Sequence, residues 1–391
     1  MKGMTIKAMT AVCNGTYYGD KQFLEKEVSA ITTDSRNIEK DGMFIAIKGE
    51  RSDGHNYISQ CFDNGALCCI SENVLENETR PYIKVDSSLQ ALKDLAELYR
   101  SNLDVKVVGI TGSVGKTSTK ETIAAVLSQK YKVLKTQGNF NNEIGLPLTV
   151  FRLTQDDEIA VLEMGISDFG EMTRLTKIAK PDICVITNIG LCHLENLKTR
   201  DGILQAKTEI FKSMNKNGTV VLNGDDDKLI TINEVYGKEP VFFGVNYKDG
   251  VYADNIKNLG LEGTSCTLHG VKASDNVSEF DIKIPIAGHH MLYNACAAAA
   301  VGAVLGLTSW QIRQGIESME TLAGRNHIIK ENGLLIIDDC YNANPVSMKA
   351  SIDVIDTAIG RKVCILGDMF ELGKNEKQLH FDVGEYLGTK S

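Results

Sequence analysis

One stretch constrains the fold of this chain more than any other: Val107-Val-Gly-Ile-Thr-Gly-Ser-Val-Gly-Lys-Thr-Ser-Thr119. Its apolar opening, Val107 to Ile110, reads as a buried strand. A glycine-rich loop follows, and then a helical pattern through about Gln129, with Ile123, Val126 and Leu127 on one face. A strand, a glycine loop and a helix with a lysine at the turn make a phosphate cradle. Gly112 and Gly115 let backbone N–H groups approach an anion without a side chain in the way. Lys116 adds a mobile positive charge for outer phosphates, and the Thr117 hydroxyl suits magnesium. The position five before Gly115 is Ile110, not the glycine of the general pattern, but the shorter Thr-Gly-x-x-Gly-Lys-Thr form is intact. The competing reading is a structural glycine turn ahead of a helix with a surface lysine.

A chain of 391 residues is too long for one ordinary domain and suggests two or three. The formal net charge of −9 argues against a nucleic-acid partner or an anionic membrane surface, so any bound anion needs a local site. The ten cysteines show neither a C-x-x-C pair nor zinc-type spacing. Most lie in apolar runs, which implies a reduced, cytoplasmic compartment. The N-terminus has no apolar stretch of signal-peptide type. The small-apolar run Ala295 to Leu307 is too short to span a bilayer and reads as a buried helix. No stable membrane insertion is expected, and a monomer is.

Residues 1–102 form a first block. Met43 to Ile47, Leu67 to Ile70 and Tyr82 to Val85 read as short strands, and Ser88 as the cap of a helix over Leu89 to Arg100. Arg36 and Lys48 are cations near strand ends, suited to an anionic ligand or to plain solvation. The second block, residues 103–321, carries the cradle. Its loop Gly138-Asn-Phe-Asn-Asn-Glu-Ile-Gly145 holds asparagines that could brace their own turns or offer amides to a ligand. Ile159 to Gly165 is a strand ending near Glu163, and Ile183 to Gly190 is a strand whose exit carries His193. Glu163 reads as a metal ligand or a helix cap, and His193 as a ligand or a core histidine. Ligands gather at the carboxyl ends of strands in doubly wound sheets, which favours the first reading of both. Lys207 sits beside the apolar face of a helix over Gly202 to Phe211, where a lysine can snorkel. Val241 to Ile286 reads as a strand-rich insert. Asn294, ahead of the Ala-rich helix, could cap it or contact a base. The third block, residues 322–391, reads as strand Leu334 to Asp339, helix Val346 to Ile359 and strand Lys362 to Asp368, another parallel α/β unit.

Taken together these stretches resemble the Mur ligase family. The match runs over essentially the whole chain, through Thr33-Asp-Ser-Arg36, Asp53-Gly-His55, Thr111-Gly-Ser-Val-Gly-Lys-Thr117, Asn141-Asn-Glu-Ile-Gly-Leu-Pro-Leu148, Tyr341-Asn-Ala-Asn-Pro345 and Gly367-Asp-Met-Phe-Glu-Leu-Gly373. His290 stands where the family usually has Asn. The resemblance implies an α/β fold of three domains: a small N-terminal domain, a central P-loop domain on a doubly wound, mostly parallel sheet, and a Rossmann-like C-terminal domain. Family members run further, so that last domain is expected to be incomplete. The implied activity joins D-alanyl-D-alanine to a UDP-linked muramoyl tripeptide with ATP and Mg2+, through an acyl phosphate. A folylpolyglutamate-synthetase-like ligase, or a nucleotide-binding protein without catalysis, is the alternative. The implied catalytic set is Lys116, Glu163, His193, Lys207 and Arg325. Metal would be held by Thr117, Glu163, His193 and Lys207, the last carbamylated. Nucleotide would meet Thr111, Gly112, Ser113, Val114, Gly115, Lys116, Thr117, Ser118, Asn142, Asn294, Arg325, Asp339 and Tyr341. Ser35, Arg36, Lys48, Asn342 and Asn344 would serve the other substrates.

Overall fold

The computed structural model describes residues 1–50 and 52–390. Arg51, in the polar loop after Met43 to Ile47, and Ser391 lie outside the described residues. The chain divides into two compact units. The first is 1–106 with 136–160 and 177–180, and the second is 107–135, 161–176 and 181–391.

The first unit is built on a five-stranded sheet in the order Thr16–Tyr18, Tyr82–Lys84, Cys68–Ser71, Met43–Ile45, Ile31–Thr32. The last four run parallel and only Thr16–Tyr18 is antiparallel. Phe44, Cys61, Phe62, Cys69 and Tyr82 form a buried cluster between this sheet and helix Ile58–Asp63. The helix expected from Leu89 spans Ser88–Ser101, and its cap is Ser87 rather than Ser88: the Ser87 side chain accepts from Gln90 N–H, and Ser88 is already helical. Tyr99 on that helix donates to the Leu153 carbonyl at 2.7 Å.

The second unit is built on a nine-stranded sheet. Its order is Phe280–Ile284, Thr264–His269, Val251–Asn258, Val241–Gly244, Thr219–Asn223, Ile183–Ile186, Lys106–Thr111, Ile159–Glu163, Val133–Lys135. Ile159–Glu163 and Ile183–Ile186 are wholly buried, as uninterrupted apolar runs in a parallel sheet should be. The expected insert over Val241 to Ile286 is not a separate piece. Val241–Gly244 pairs parallel with Thr219–Asn223, and the sheet turns antiparallel only beyond Val251–Asn258. Alternating polar residues were the signal for these strands, and they suit an edge with one face in solvent.

Helix Lys116–Leu127 packs against helix His290–Val304 and helix Ser309–Glu317. The approach is close. A Cβ on Gly315 would stand 2.3 Å from Val126 Cα, and one on Gly302 would stand 3.0 Å from Val126 Cγ1.

The parallel unit expected after residue 322 is not formed. Strands His327–Glu331 and Leu334–Asp338 make an antiparallel hairpin instead. Its two-residue turn, Asn332 at φ +51° and Gly333 at φ +77°, is the Asn-Gly pair that such hairpins favour. Helix Pro345–Asp356 follows, but Lys362 to Asp368 forms no strand. The run has strand composition. No described strand offers it a row of hydrogen-bonding groups, and Ile365 stays 96% exposed. A small cluster of Met348, Ile352, Met369, Leu372 and Val383 holds this region together.

Candidate functional site

The glycine loop closes strand Lys106–Thr111 and opens helix Lys116–Leu127. Gly112 has φ +150°, and a Cβ there would lie 1.9 Å from Thr187 Oγ1, so no side chain fits. Gly115 caps the helix at φ +79°. The loop is tied down from strand Ile183–Ile186 and the residues after it. Ser113 N–H donates to the Asn188 carbonyl at 3.0 Å, and Val114 N–H donates to Asn188 Oδ1 at 3.1 Å. Asn188 Nδ2 and the Thr187 hydroxyl both donate to the Val114 carbonyl, at 3.0 and 2.7 Å. The Ser113 hydroxyl donates to the Gly190 carbonyl. Lys116 curls back over the loop, its Nζ donating to the Gly112 carbonyl at 2.9 Å. A solvated surface lysine would not be held so.

Thr117 is buried in the first turn of the helix, and the Thr111 side chain is buried in the strand end. Glu163 ends its strand at 2% exposure, with Oε2 3.9 Å from Nζ of Lys120, a buried lysine of the phosphate-loop helix. It is therefore no helix cap. His193, at φ +49°, places Nδ1 2.5 Å from Glu371 Oε2. Burial lowers its pKa, Glu371 opposes, and the charges of Lys207 and Lys116 push the same way as burial. These three cationic or titratable side chains thus share one neighbourhood, and His193 is not a core histidine. Lys207 is 1% exposed and does not snorkel. Burial lowers its pKa to about 8, Cys192 opposes and Lys116 adds to the fall.

A cavity of about 640 Å³ opens beside the loop. Val114, Gly115 and Ser118 form one wall, and Arg325, Asn326 and Asp339 another. Asn294 lies between them. It sits inside helix His290–Val304 and does not cap it. Its Oδ1 accepts from the Thr119 hydroxyl at 2.8 Å, which ties that helix to the phosphate-loop helix. His290 lines the same cavity, and its Nδ1 is buried without a hydrogen-bond partner. Asp339 Oδ1 accepts from Asn326 N–H at 3.0 Å, and the Arg325 guanidinium lies over the Tyr341 ring. Asn344 caps helix Pro345–Asp356, its Oδ1 accepting from Val346 and Ser347 N–H, while Asn342 is exposed. The acidic turn Asp225-Asp226-Asp227 is structural. Asp225 accepts from Val245, Asn246 and Tyr247 N–H and from the Tyr293 hydroxyl, and Asp227 pairs with Arg200.

In the first unit, Thr33-Asp-Ser-Arg36 and Asp53-Gly-His55 both follow parallel strands. Asp34 caps the Ser35–Asn37 turn and holds the Arg36 guanidinium at 2.9 and 2.7 Å. The Lys48 and Asp53 backbones pair in an isolated antiparallel bridge, and the Asp53 carboxylate meets His55 Nδ1 at 2.6 Å. Asn142 Oδ1 accepts from Ile144 and Gly145 N–H, so that asparagine braces its own turn. Among the described residues no three His, Cys, Asp or Glu side chains gather as a metal cluster, and all ten cysteines are free thiols. Among the described residues no helix is long and apolar enough to cross a membrane.

Sequence reasoning missed Thr187, Asn188, Lys120 and Glu371. Asn188 had a signal, a polar residue closing an apolar strand next to the loop strand. Glu371 lies in the Gly367 to Gly373 motif, but its meeting with His193, remote in sequence, had no signal, and neither did the approach of Lys120 to Glu163.

Three family descriptions match successive parts of the chain. The Mur ligase family catalytic domain matches 27–100, the Mur ligase middle domain 110–302, and the Mur ligase glutamate ligase domain 324–391. The UDP-N-acetylmuramoyl-tripeptide–D-alanyl-D-alanine ligase of Bacillus subtilis is 38% identical over 388 residues, which cover 98% of this chain and 82% of the relative. A crystal structure of MurF from Acinetobacter baumannii superposes with a TM-score of 0.89 at 34% identity, covering 98% of this chain and 83% of that one. MurF from Thermotoga maritima in complex with ADP gives 0.82 at 34% identity, covering 92% and 82%. The chain belongs to the Mur ligase family.

Proposed function

We propose that this chain joins D-alanyl-D-alanine to UDP-N-acetylmuramoyl-tripeptide at the expense of ATP, forming the pentapeptide precursor of peptidoglycan. The observation that carries the reading is the cavity itself, with a tied-down phosphate loop on one wall and Arg325 and Asp339 on the other. The relatives' names support the substrates and do not favour a folate-directed ligase.

The three blocks 1–102, 103–321 and 322–391 would take the UDP end, the nucleotide and the closing role. Lys116 and the loop amides would hold the outer phosphates, Arg325 the phosphates from the far wall, Asp339 the ribose and Asn294 the adenine. Ser35, Arg36 and Lys48 would meet the uridine diphosphate, and Asn342 and Asn344 the peptide end. The donor chemistry fits magnesium. Thr117 offers a hydroxyl and Glu163 a carboxylate, and an ion that takes few protein ligands beside phosphate oxygens needs no three-carboxylate cluster. Thr117, Glu163, His193 and Lys207 would hold it. The buried Lys207 amine, easily deprotonated, suits attack on carbon dioxide to give a carbamate with loss of a proton, which replaces a cation by an anionic oxygen donor. When bound, magnesium supplies charge neutralisation between the phosphates and the substrate carboxylate.

A tripeptide carboxylate oxygen attacks the γ-phosphorus, ADP leaves, and an acyl phosphate forms. The amine of D-alanyl-D-alanine then attacks the carbonyl carbon, loses a proton, and expels phosphate. Lys116 and Arg325 would stabilise charge on the transferring group. Water must be kept from the acyl phosphate, and the third block over the cavity would do this. A phosphate-release assay with ATP, UDP-linked tripeptide and D-alanyl-D-alanine, omitting each in turn, tests the reading. Release should require all three. Equal release with a folate and glutamate in place of the peptides would overturn it.

A further inference from the structure

We propose that Tyr341 is a positioning residue, a flat shelf that holds the Arg325 guanidinium against the nucleotide cavity. This rests on the reading that the cavity takes ATP. It goes further by naming what keeps the far-wall cation in place without pairing it to a carboxylate.

Arg325 lines the cavity and Tyr341 does not. The guanidinium carbon lies 4.2 Å from the centroid of the Tyr341 ring. Among the described residues the Arg325 guanidinium makes no ion pair or hydrogen bond, and its one aromatic partner is the Tyr341 ring. The difference from a carboxylate partner is chemical. An arginine paired with Asp or Glu is neutralised before any ligand arrives. An aromatic face attracts the cation through its quadrupole and leaves the N–H donors and the full charge available to an anion.

The backbone explains the juxtaposition. The hairpin register sets His327 opposite Asp338. Extended backwards, it sets Gly324 opposite Tyr341, and Tyr341 N–H donates to the Gly324 carbonyl at 3.2 Å. Gly324 N–H donates to Asp338 Oδ2 at 2.9 Å, which fixes the same corner. A regular ladder would send successive side chains to opposite faces. Gly324, at φ +73°, breaks that alternation just before Arg325. A Cβ on Gly324 would stand 3.3 Å from Tyr341 Cβ, so the glycine also leaves room for the ring. Tyr341 is 51% exposed, more than half of it unburied by any core, so its contribution to the fold is small.

The shelf fixes the arginine in the geometry an anion needs, so less ordering remains to be done when nucleotide arrives. The whole chain is assayed by phosphate release with all three substrates. Arg325→Ala should lower kcat/KM for ATP about a hundredfold, as loss of one donor to a transferring group does. Tyr341→Leu, which keeps bulk but has no π face, should lower it about fivefold. Tyr341→Phe should restore it to within about twofold of the parent, since the ring and not the hydroxyl holds the cation. In the Arg325→Ala background, Tyr341→Leu should cost nothing more. Tyr341→Met serves as a second ring-free replacement if the leucine variant folds poorly. Parental turnover in both ring-free variants, a loss in Tyr341→Phe as deep as in Tyr341→Leu, or additive losses in the double variant would each overturn the shelf. Parental turnover in Arg325→Ala would instead overturn the phosphate reading of Arg325.

Discussion

The two walls of the proposed nucleotide cavity are built to different standards. The phosphate loop leaves a strand buried from Val107 to Thr111, and four hydrogen bonds from Thr187, Asn188 and the Asn188 carbonyl hold two of its residues. The far wall hangs on a two-stranded hairpin whose Leu334, Leu335 and Ile336 are 65%, 40% and 46% exposed. Its ties are single contacts, such as the Asn326 side chain donating to the Ala287 carbonyl at 2.6 Å. Local opening costs little where few apolar contacts are buried. The loop wall is therefore preformed, as the proposed phosphate role requires. The hairpin wall is the part able to adjust around a nucleotide.

Substitutions on the two walls should sharpen this contrast. The largest effect is expected from Lys116→Ala, which removes the cation over the loop. Phosphate release should fall by about a thousandfold while the melting temperature stays near the parent's, because the amine holds only loop carbonyls. Near-parental turnover would rule out its phosphate role. Gly112→Ala comes next. The new methyl would meet Thr187 Oγ1, and chemical denaturation should show roughly 2–4 kcal/mol lost.

Asp225→Asn should cost about 2 kcal/mol, since a carboxylate accepting from three amides and a tyrosine loses acceptor capacity. Burial alone would raise the Asp225 pKa, but these hydrogen bonds hold it below the usual range. Its contribution is thus complete above the unfolded carboxyl pKa, about 4, and is lost as pH falls through the lower folded value. The parent should lose its margin over Asp225→Asn on acidification from about pH 5 downward, and an unchanged gap would contradict this linkage. Asn188→Ala frees the Val114 N–H and removes one of the two donors to its carbonyl, for about 1 kcal/mol and a raised KM for ATP. The smallest effect belongs to the other wall: Ile336→Thr should change stability by less than about 0.5 kcal/mol. A drop as large as that of Gly112→Ala would show that the hairpin is buried in solution.

Much of the loop wall was legible because its determinants are local. The glycine spacing, the lysine, and the strand exits at Glu163 and His193 lie in contiguous motifs. What escaped was what distant segments contribute. Asn188 clamps the loop from a neighbouring strand, and Glu371 reaches His193 from far along the chain. Asn294 was read as a possible cap because it precedes the alanine run, yet the helix starts at His290, driven by apolar packing rather than by a capping side chain. The hairpin was hidden for another reason. Asn332-Gly333 is a strong local turn signal, and the expectation of a parallel unit overrode it. Lys362 to Asp368 shows the reverse: apolar composition promises a strand, but pairing is a property of the neighbour as well as the segment.

The close approach of Gly302 and Gly315 to Val126 carries its own consequence. Helix Ser309–Glu317 meets the phosphate-loop helix there almost backbone to backbone, and helix His290–Val304 meets it through the Val126 side chain, leaving the phosphate-loop helix no slack along that contact. A single methyl added at residue 315 could be absorbed only by shifting the axle on which the anion site is mounted. Damage far from the chemistry would then register as weakened nucleotide affinity, and a survey of variants would mistake a spacer for a ligand contact.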